Sequence, residues 1–179
     1  ELAVATALAV DTIYPVVLTY DGTDVKLYVD GTLDATDNAP GMTTYNNTDG
    51  DHTIGCFQNT FTTERFFNGV IDEVAVYSSA LTGAQVADNY SYGVSPTEDY
   101  ATRINSLTPV GYWRLGESGG TTATDTGSGS NNGTYINSPT LGVDGLVYIP
   151  QIPSSLPMTL AGSLIRPAAT LPMTLYGAD

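Results

Sequence analysis

The sequence predicts an all-β domain built on antiparallel strands, and three observations carry that expectation. The runs Val16-Val17-Leu18-Thr19-Tyr20, Val25-Lys26-Leu27-Tyr28-Val29 and Val70-Ile71-Asp72-Glu73-Val74-Ala75-Val76-Tyr77 have strand length and are rich in Val, Ile and Tyr. Asp21-Gly22 and Asp30-Gly31 follow the first two runs. Asp-Gly pairs supply the positive φ angles that a tight turn between strands needs. Val25, Leu27 and Val29 alternate with Lys26 and Tyr28, which predicts a sheet with one buried and one wet face.

Composition bounds the functional classes. The chain has 179 residues, room for one sandwich domain or parts of two. Charged residues make up only 13 %, yet the net charge is −14 because Lys and Arg number five. So acidic a chain does not grip nucleic acid or an anionic membrane surface. It attracts cations instead, and oxygen-rich loops suit Ca²⁺ best. No apolar run approaches the roughly 20 residues that a membrane-spanning helix needs. The single Cys56 excludes an internal disulfide. The chain opens at Glu1 rather than Met, with no charged-then-apolar leader, so a piece of a longer protein is expected.

Taken in order, residues 2 to 10 form a short apolar run, read here as a strand although its pattern also suits a helix. Pro15 suits a strand start or an edge. Thr32 to Asp51 reads as a long polar loop carrying Asp34, Asp37, Asn38, Asn46, Asn47, Asp49 and Asp51. Its spacing fits no EF-hand pattern. His52 is the only histidine, and the sequence identifies no base or nucleophile partner for it. Asp72 falls by alternation on the face of Val70, Val74 and Val76 unless a bulge shifts the phase. A carboxylate there must be hydrogen-bonded, paired or metal-bound. A helix start follows: Thr82 as N-cap, Gln85 completing a capping box, and Leu81 with Val86 as hydrophobic staple. Val86 and Tyr90 lie one turn apart and face the sandwich, and Gly93 is placed to end the helix. Ser95 to Asp99 reads as a linker.

These residues also carry a resemblance. Thr19-Tyr20-Asp21-Gly22, Leu27-Tyr28-Val29-Asp30-Gly31, the stretch from Gly69 to Tyr77, and Ala80-Leu81-Thr82 follow one another as in the C-terminal half of a concanavalin A-like, laminin G-type jelly-roll domain. The resemblance implies an antiparallel jelly-roll β-sandwich with one short helix. It also implies that Thr53-Ile54-Gly55 is a short strand and that Asp72 is a Ca²⁺ ligand, as in some relatives. Tyr112-Trp113-Arg114-Leu115-Gly116-Glu117, Thr122-Ala123-Thr124-Asp125 and Asn131-Asn132-Gly133-Thr134-Tyr135 resemble the N-terminal opening of the same domain type. The back half therefore precedes the front half. Residues 1–94 are read as the C-terminal half of a sandwich, 95–111 as linker, 112–147 as an N-terminal portion and 148–179 as an extended Pro-rich docking tail.

Either the chain is a window on a tandem array, or its two pieces complete a sandwich within the chain or with a neighbouring copy. An open half-sandwich exposes apolar faces and unpaired edges, which favours completion. The loop from Glu117 to Asn132 is the other candidate ion site, set against a plain Gly/Ser loop. Asp72, Glu117, Asp125 and Asn132 are thus the candidate Ca²⁺ ligands, and an Asp72–Asp125 contact would let one ion bridge the two pieces. Gly116-Glu117-Ser118-Gly119-Gly120 matches the nucleophile-elbow pattern in letters only, because no strand-turn-helix context or His partner accompanies it.

The C-terminal stretch departs from the family. Gly145 to Ala178 contains no Asp or Glu but half of the ten prolines. Leu156-Pro157-Met158-Thr159-Leu160 returns as Leu171-Pro172-Met173-Thr174-Leu175. Such a segment is too Pro-rich for a helix and too short to bury itself. It is expected to lie along another subunit through Leu156, Met158, Leu160, Leu171, Met173 and Leu175, donating edge-strand hydrogen bonds between the prolines. A disordered linker is the alternative.

Three functional readings follow. Glucanases of this fold use a Glu-x-Asp-x-x-Glu strand, and here position 70 is Val, so catalysis and a glycoside hydrolase relationship are disfavoured. Twelve tyrosines suit a carbohydrate-binding module of a secreted bacterial surface protein. The split domain order and apolar tail favour a non-catalytic structural component of an assembly with other protein subunits. Phage or virion fibre, tail and capsid-decoration proteins are the models, at a virion or cell surface, with glycan adhesion as the purpose.

Overall fold

A computed structural model describes residues 5–42, 52–58, 63–64, 66–94, 99–143 and 145. The chain divides into two units, Glu1–Ile149 and Pro150–Asp179. The second unit, with all six docking-tail residues, lies outside the described residues, as does the part of the predicted polar loop from Thr43 to Asp51.

The first unit opens on a three-stranded meander of β1 (Val16–Tyr20), β2 (Asp24–Val29) and β3 (Thr32–Asn38). The β1/β2 register pairs Val16 with Val29, Leu18 with Leu27 and Tyr20 with Val25. Both turns follow from their Asp-Gly pairs. Asp21 Oδ1 accepts from the backbone N–H of Thr23 (3.0 Å) and Asp24 (2.8 Å), closing the first turn as an Asx turn. Asp30 and Gly31 both adopt left-handed φ, 49° and 74°, as a two-residue hairpin of right-handed twist demands.

The predicted polar loop from Thr32 is corrected over its first seven residues, which are strand β3. Asp34 there holds the N-terminal approach: its carboxylate accepts from the backbone N–H of Ala5 (2.7 Å) and Thr6 (2.8 Å) and from the Thr6 hydroxyl. Residues 5–9 are accordingly irregular, not the strand expected for residues 2 to 10, because a side chain takes the donors a strand partner would use. The wet face expected at Tyr28 is also corrected. Leu27, Tyr28 and Val29 are all buried. The β2/β3 register slips between Leu27 and Tyr28, and Tyr28 abuts Gly83 at the start of the helix beyond.

The short pair β4 (Phe57–Gln58) and β5 (Thr63–Glu64) comes next. The strand expected at Thr53-Ile54-Gly55 begins only at Phe57, because Gly55 adopts φ +79° and Thr53 turns its hydroxyl to the Cys56 carbonyl (3.0 Å). Strand β6 (Val74–Val76) is likewise shorter than its apolar run. Glu73 adopts φ +54° and breaks the extended backbone before it, so Asp72 does not share a strand face with Val74.

Helix α1 (Gly83–Val94) starts as predicted: Thr82 N–H donates to Gln85 Oε1 (2.8 Å), and Gln85 N–H donates to Thr82 Oγ1 (3.2 Å). Val86 is 1 % exposed. Tyr90 lies so close to Gly31 that a Cβ there would stand 2.6 Å from the tyrosine Cβ, so Gly31 serves both the turn and the helix seat. The stretch read as linker holds a second helix, α2 (Tyr100–Ser106), capped by Asp99 on Thr102 N–H (3.2 Å). Arg103 of α2 reaches Asn89 Oδ1 (3.0 Å) and Asp88 (3.5 Å) and lies 5.4 Å from the Tyr92 ring centre, which fastens α2 to α1. No described helix is long and apolar enough to cross a membrane.

Strand β7 (Gly111–Trp113) then pairs antiparallel with β6: Val74 with Trp113, Ala75 with Tyr112, Val76 with Gly111. This ladder joins the segment before the two helices to the segment after them. β8 (Thr122–Ala123) and β9 (Gly133–Thr134) form a small hairpin near the end of the described chain.

Candidate functional site

The seam between β6 and β7 carries a polar network that runs from the buried Tyr112 to the exposed Arg114. The left-handed turn at Glu73 aims its carboxylate at β7. Arg114 Nε and Nη2 both donate to Glu73 Oε1 at 3.0 Å, and the Tyr112 hydroxyl donates to Oε2. Burial pushes the Glu73 carboxyl above its ordinary range, although the Tyr112 and Arg114 bonds pull the other way. Burial and the Glu73 bond push the Tyr112 phenol up, and burial raises Tyr100 to about 12. The network centres on Glu73, whereas sequence alternation points to Asp72. Positive φ at a non-glycine residue cannot be read from alternation, which is why that reading falls one residue short. Asp72 accepts from Glu73 N–H (3.0 Å) and faces Gly145, where a built Cβ would fall 1.8 Å from its Oδ2.

Asp125 and Asn132 come together in the loop after β7. Asp125 Oδ1 accepts from Tyr112 N–H and Gly127 N–H, each at 2.7 Å, and Oδ2 accepts from Asn131 N–H (2.6 Å). Asn132 Oδ1 accepts from Asp125 N–H (2.9 Å). Burial works against ionisation of Asp125, and three backbone donors more than offset it, holding the carboxyl below its ordinary range. Glu117 makes a parallel clasp, accepting from Thr124 N–H (2.8 Å) and the Tyr135 hydroxyl (2.6 Å). These bonds offset its burial and hold it low. Among the described residues no group of three or more His, Cys, Asp or Glu is placed to hold a metal ion. In this arrangement the Asp125 and Glu117 oxygens are engaged by N–H and O–H donors of the fold. Sequence reasoning finds these residues but not their donors, which are backbone groups brought in by the fold.

The chemically distinctive feature is apolar. A groove of about 750 Å³ runs between β1, residues 67–81 and the two helices. On its wall stand Val16, Leu18, Phe67, Val70 and Val76, exposed by 55, 64, 60, 45 and 48 %. Among the described residues β1 has a ladder partner on one side only, as has β6. The Tyr77 hydroxyl, on the same wall beside Asn89, is buried without a hydrogen bond of ordinary geometry. Among the described residues this apolar surface therefore lies next to open strand edges.

The meander, its Asp-Gly turns, the closing helix and the strand seam define an antiparallel β-sandwich of the concanavalin A-like class. Residues 2–87 match the laminin G family model described as the concanavalin A-like lectin/glucanases superfamily, so this part of the chain is similar to that superfamily. No curated protein matches the chain. Among solved structures, the chain is similar to an S-layer domain-containing protein from Clostridium thermocellum ATCC 27405, crystallised as residues 221–444. That match has 20 % identity, covers 49 % of this chain and 43 % of that one, and has a TM-score of 0.43.

Proposed function

We propose that this chain is a non-catalytic structural and adhesion module of a larger surface assembly, at a cell surface or on a virion fibre, tail or capsid. The open groove carries this reading: five exposed apolar side chains line one trough beside a free strand edge, a surface that other protein subunits cover. Its carboxylates support the non-catalytic part. Glu73, Asp125 and Glu117 are each committed to donors of the fold, where glycoside hydrolysis requires two carboxyl groups flanking a bond. Light scattering on the full chain tests the reading. Mass should rise to two or more chains at micromolar concentration, and a stable monomer overturns it.

A second reading, carbohydrate binding, is favoured by Tyr14, Tyr20, Tyr90 and Tyr100 along the same groove, since tyrosine rings stack on sugar faces. A glycan array with and without EDTA tests it together with the calcium dependence expected of the family. Binding lost in EDTA supports both, and no binding in either condition removes them.

A further inference from the structure

We propose that the groove beside β1 is the receptor for the Pro-rich C-terminal segment of a second copy of this chain, taken up as an added strand. This inference rests on the assembly reading and names its partner. The described chain ends at Gly145, packed against Asp72 on the groove wall, and 34 residues follow. Extended, they reach on the order of 100 Å, enough to cross to a neighbouring copy.

The charge distribution selects the segment over the body. Of the nineteen acidic residues only Asp179 lies beyond Gly145, while four of the five basic residues lie before it. Two bodies so acidic repel one another at low ionic strength, whereas a neutral segment approaches either without that penalty.

The register of the repeat fits an edge. In extended backbone, the N–H and C=O of one residue point to one side and those of the next to the other. Turning Pro157 outward, where its missing N–H costs nothing, turns the backbone groups of Leu156, Met158 and Leu160 toward β1. The same alternation places those three side chains on one face, that of the groove. Leu171, Met173 and Leu175 around Pro172 repeat the arrangement. Hydrogen bonds to the strand edge then supply affinity, and the apolar wall reads the alternate side chains.

The test uses three full-length chains: wild type, Leu18→Asp in the groove, and Met158→Asp with Met173→Asp in the segment. Masses are measured by light scattering and folding is checked by circular dichroism. Leu18 is 64 % exposed, so the charge does not burden the fold, and Val16→Asp at 55 % exposure repeats the test if it does. Each variant alone should be a monomer, and an equimolar mixture should recover a two-chain species, because one supplies the intact groove and the other the intact segment. If the wild type associates and either variant still associates alone, or the mixture does not, this inference falls and the assembly reading stands. A monomeric wild type overturns both.

Discussion

The loop around Asp125 and the groove beside β1 lie in the same unit and handle their awkward groups in opposite ways. Asp125 is 9 % exposed, an unfavourable place for a charge, and three backbone N–H groups and a neighbouring asparagine meet its needs within 13 residues of sequence. Leu18 is 64 % exposed, an unfavourable place for a leucine, and nothing described covers it. Polar demands are short-ranged and directional, so a turn of chain satisfies them. Apolar demands scale with area, and satisfying them takes a second layer of structure. The first region therefore stands complete by itself, and the second is where the proposed segment would sit.

Substitutions should separate the two. Asp125→Ala leaves buried donors without an acceptor and should cost about 3 kcal/mol or more in urea unfolding. A loss under about 1 kcal/mol would mean that water replaces the carboxylate without penalty. Glu73→Ala strands the Tyr112 hydroxyl and should cost about 2 kcal/mol, while Glu73→Gln, which needs no buried charge, should cost less than half of that. Thr82→Ala removes the α1 cap and should cost about 1 kcal/mol by the same measurement. Leu18→Asp sits at the other extreme: unfolding free energy should stay within about 0.5 kcal/mol of wild type, as at an exposed site, while self-association is lost.

Acid sharpens the contrast by sign. Asp21 is held from 3.8 to about 2, chiefly by the Asp24 and Lys26 bonds, and Asp125 and Glu117 are also held low. Groups whose folded pKa is depressed stabilise above their unfolded values, and that contribution is lost as pH falls through the folded ones. Melting temperature should therefore begin to fall below pH 4.5, where Glu117 is affected, and fall further below 3.8. Glu73 runs oppositely. Its raised carboxyl stabilises below its ordinary 4.5, and that contribution is lost as pH rises through the folded value. Glu73→Gln should flatten melting temperature against pH just above 4.5 and leave the fall below 3.8 unchanged.

Several features are legible in the residues alone. The Asp-Gly hairpins, the Thr82–Gln85 capping box and the apolar alternation of β2 are local, and local patterns specify local geometry. Less is legible where a distant element intervenes. β3 hides behind its Asp and Thr residues because an edge strand tolerates them. Tyr28 reads as solvent-facing until α1 arrives over it. Asp72 stands out before Glu73 because the left-handed backbone of Glu73 is fixed by the seam with Arg114 and Tyr112 rather than by its neighbours.

The chain by itself determined an antiparallel, acidic, turn-rich sandwich segment and the helix that closes it, since each of those features depends on residues within a few positions of one another. Only the tertiary structure decided that β7 closes onto β6, that Tyr112 meets Glu73 across 39 positions, and that Leu18 and Val76 share an open trough. Contacts of that separation depend on how whole layers stack, a global balance of burial and chain entropy that no short window of residues records.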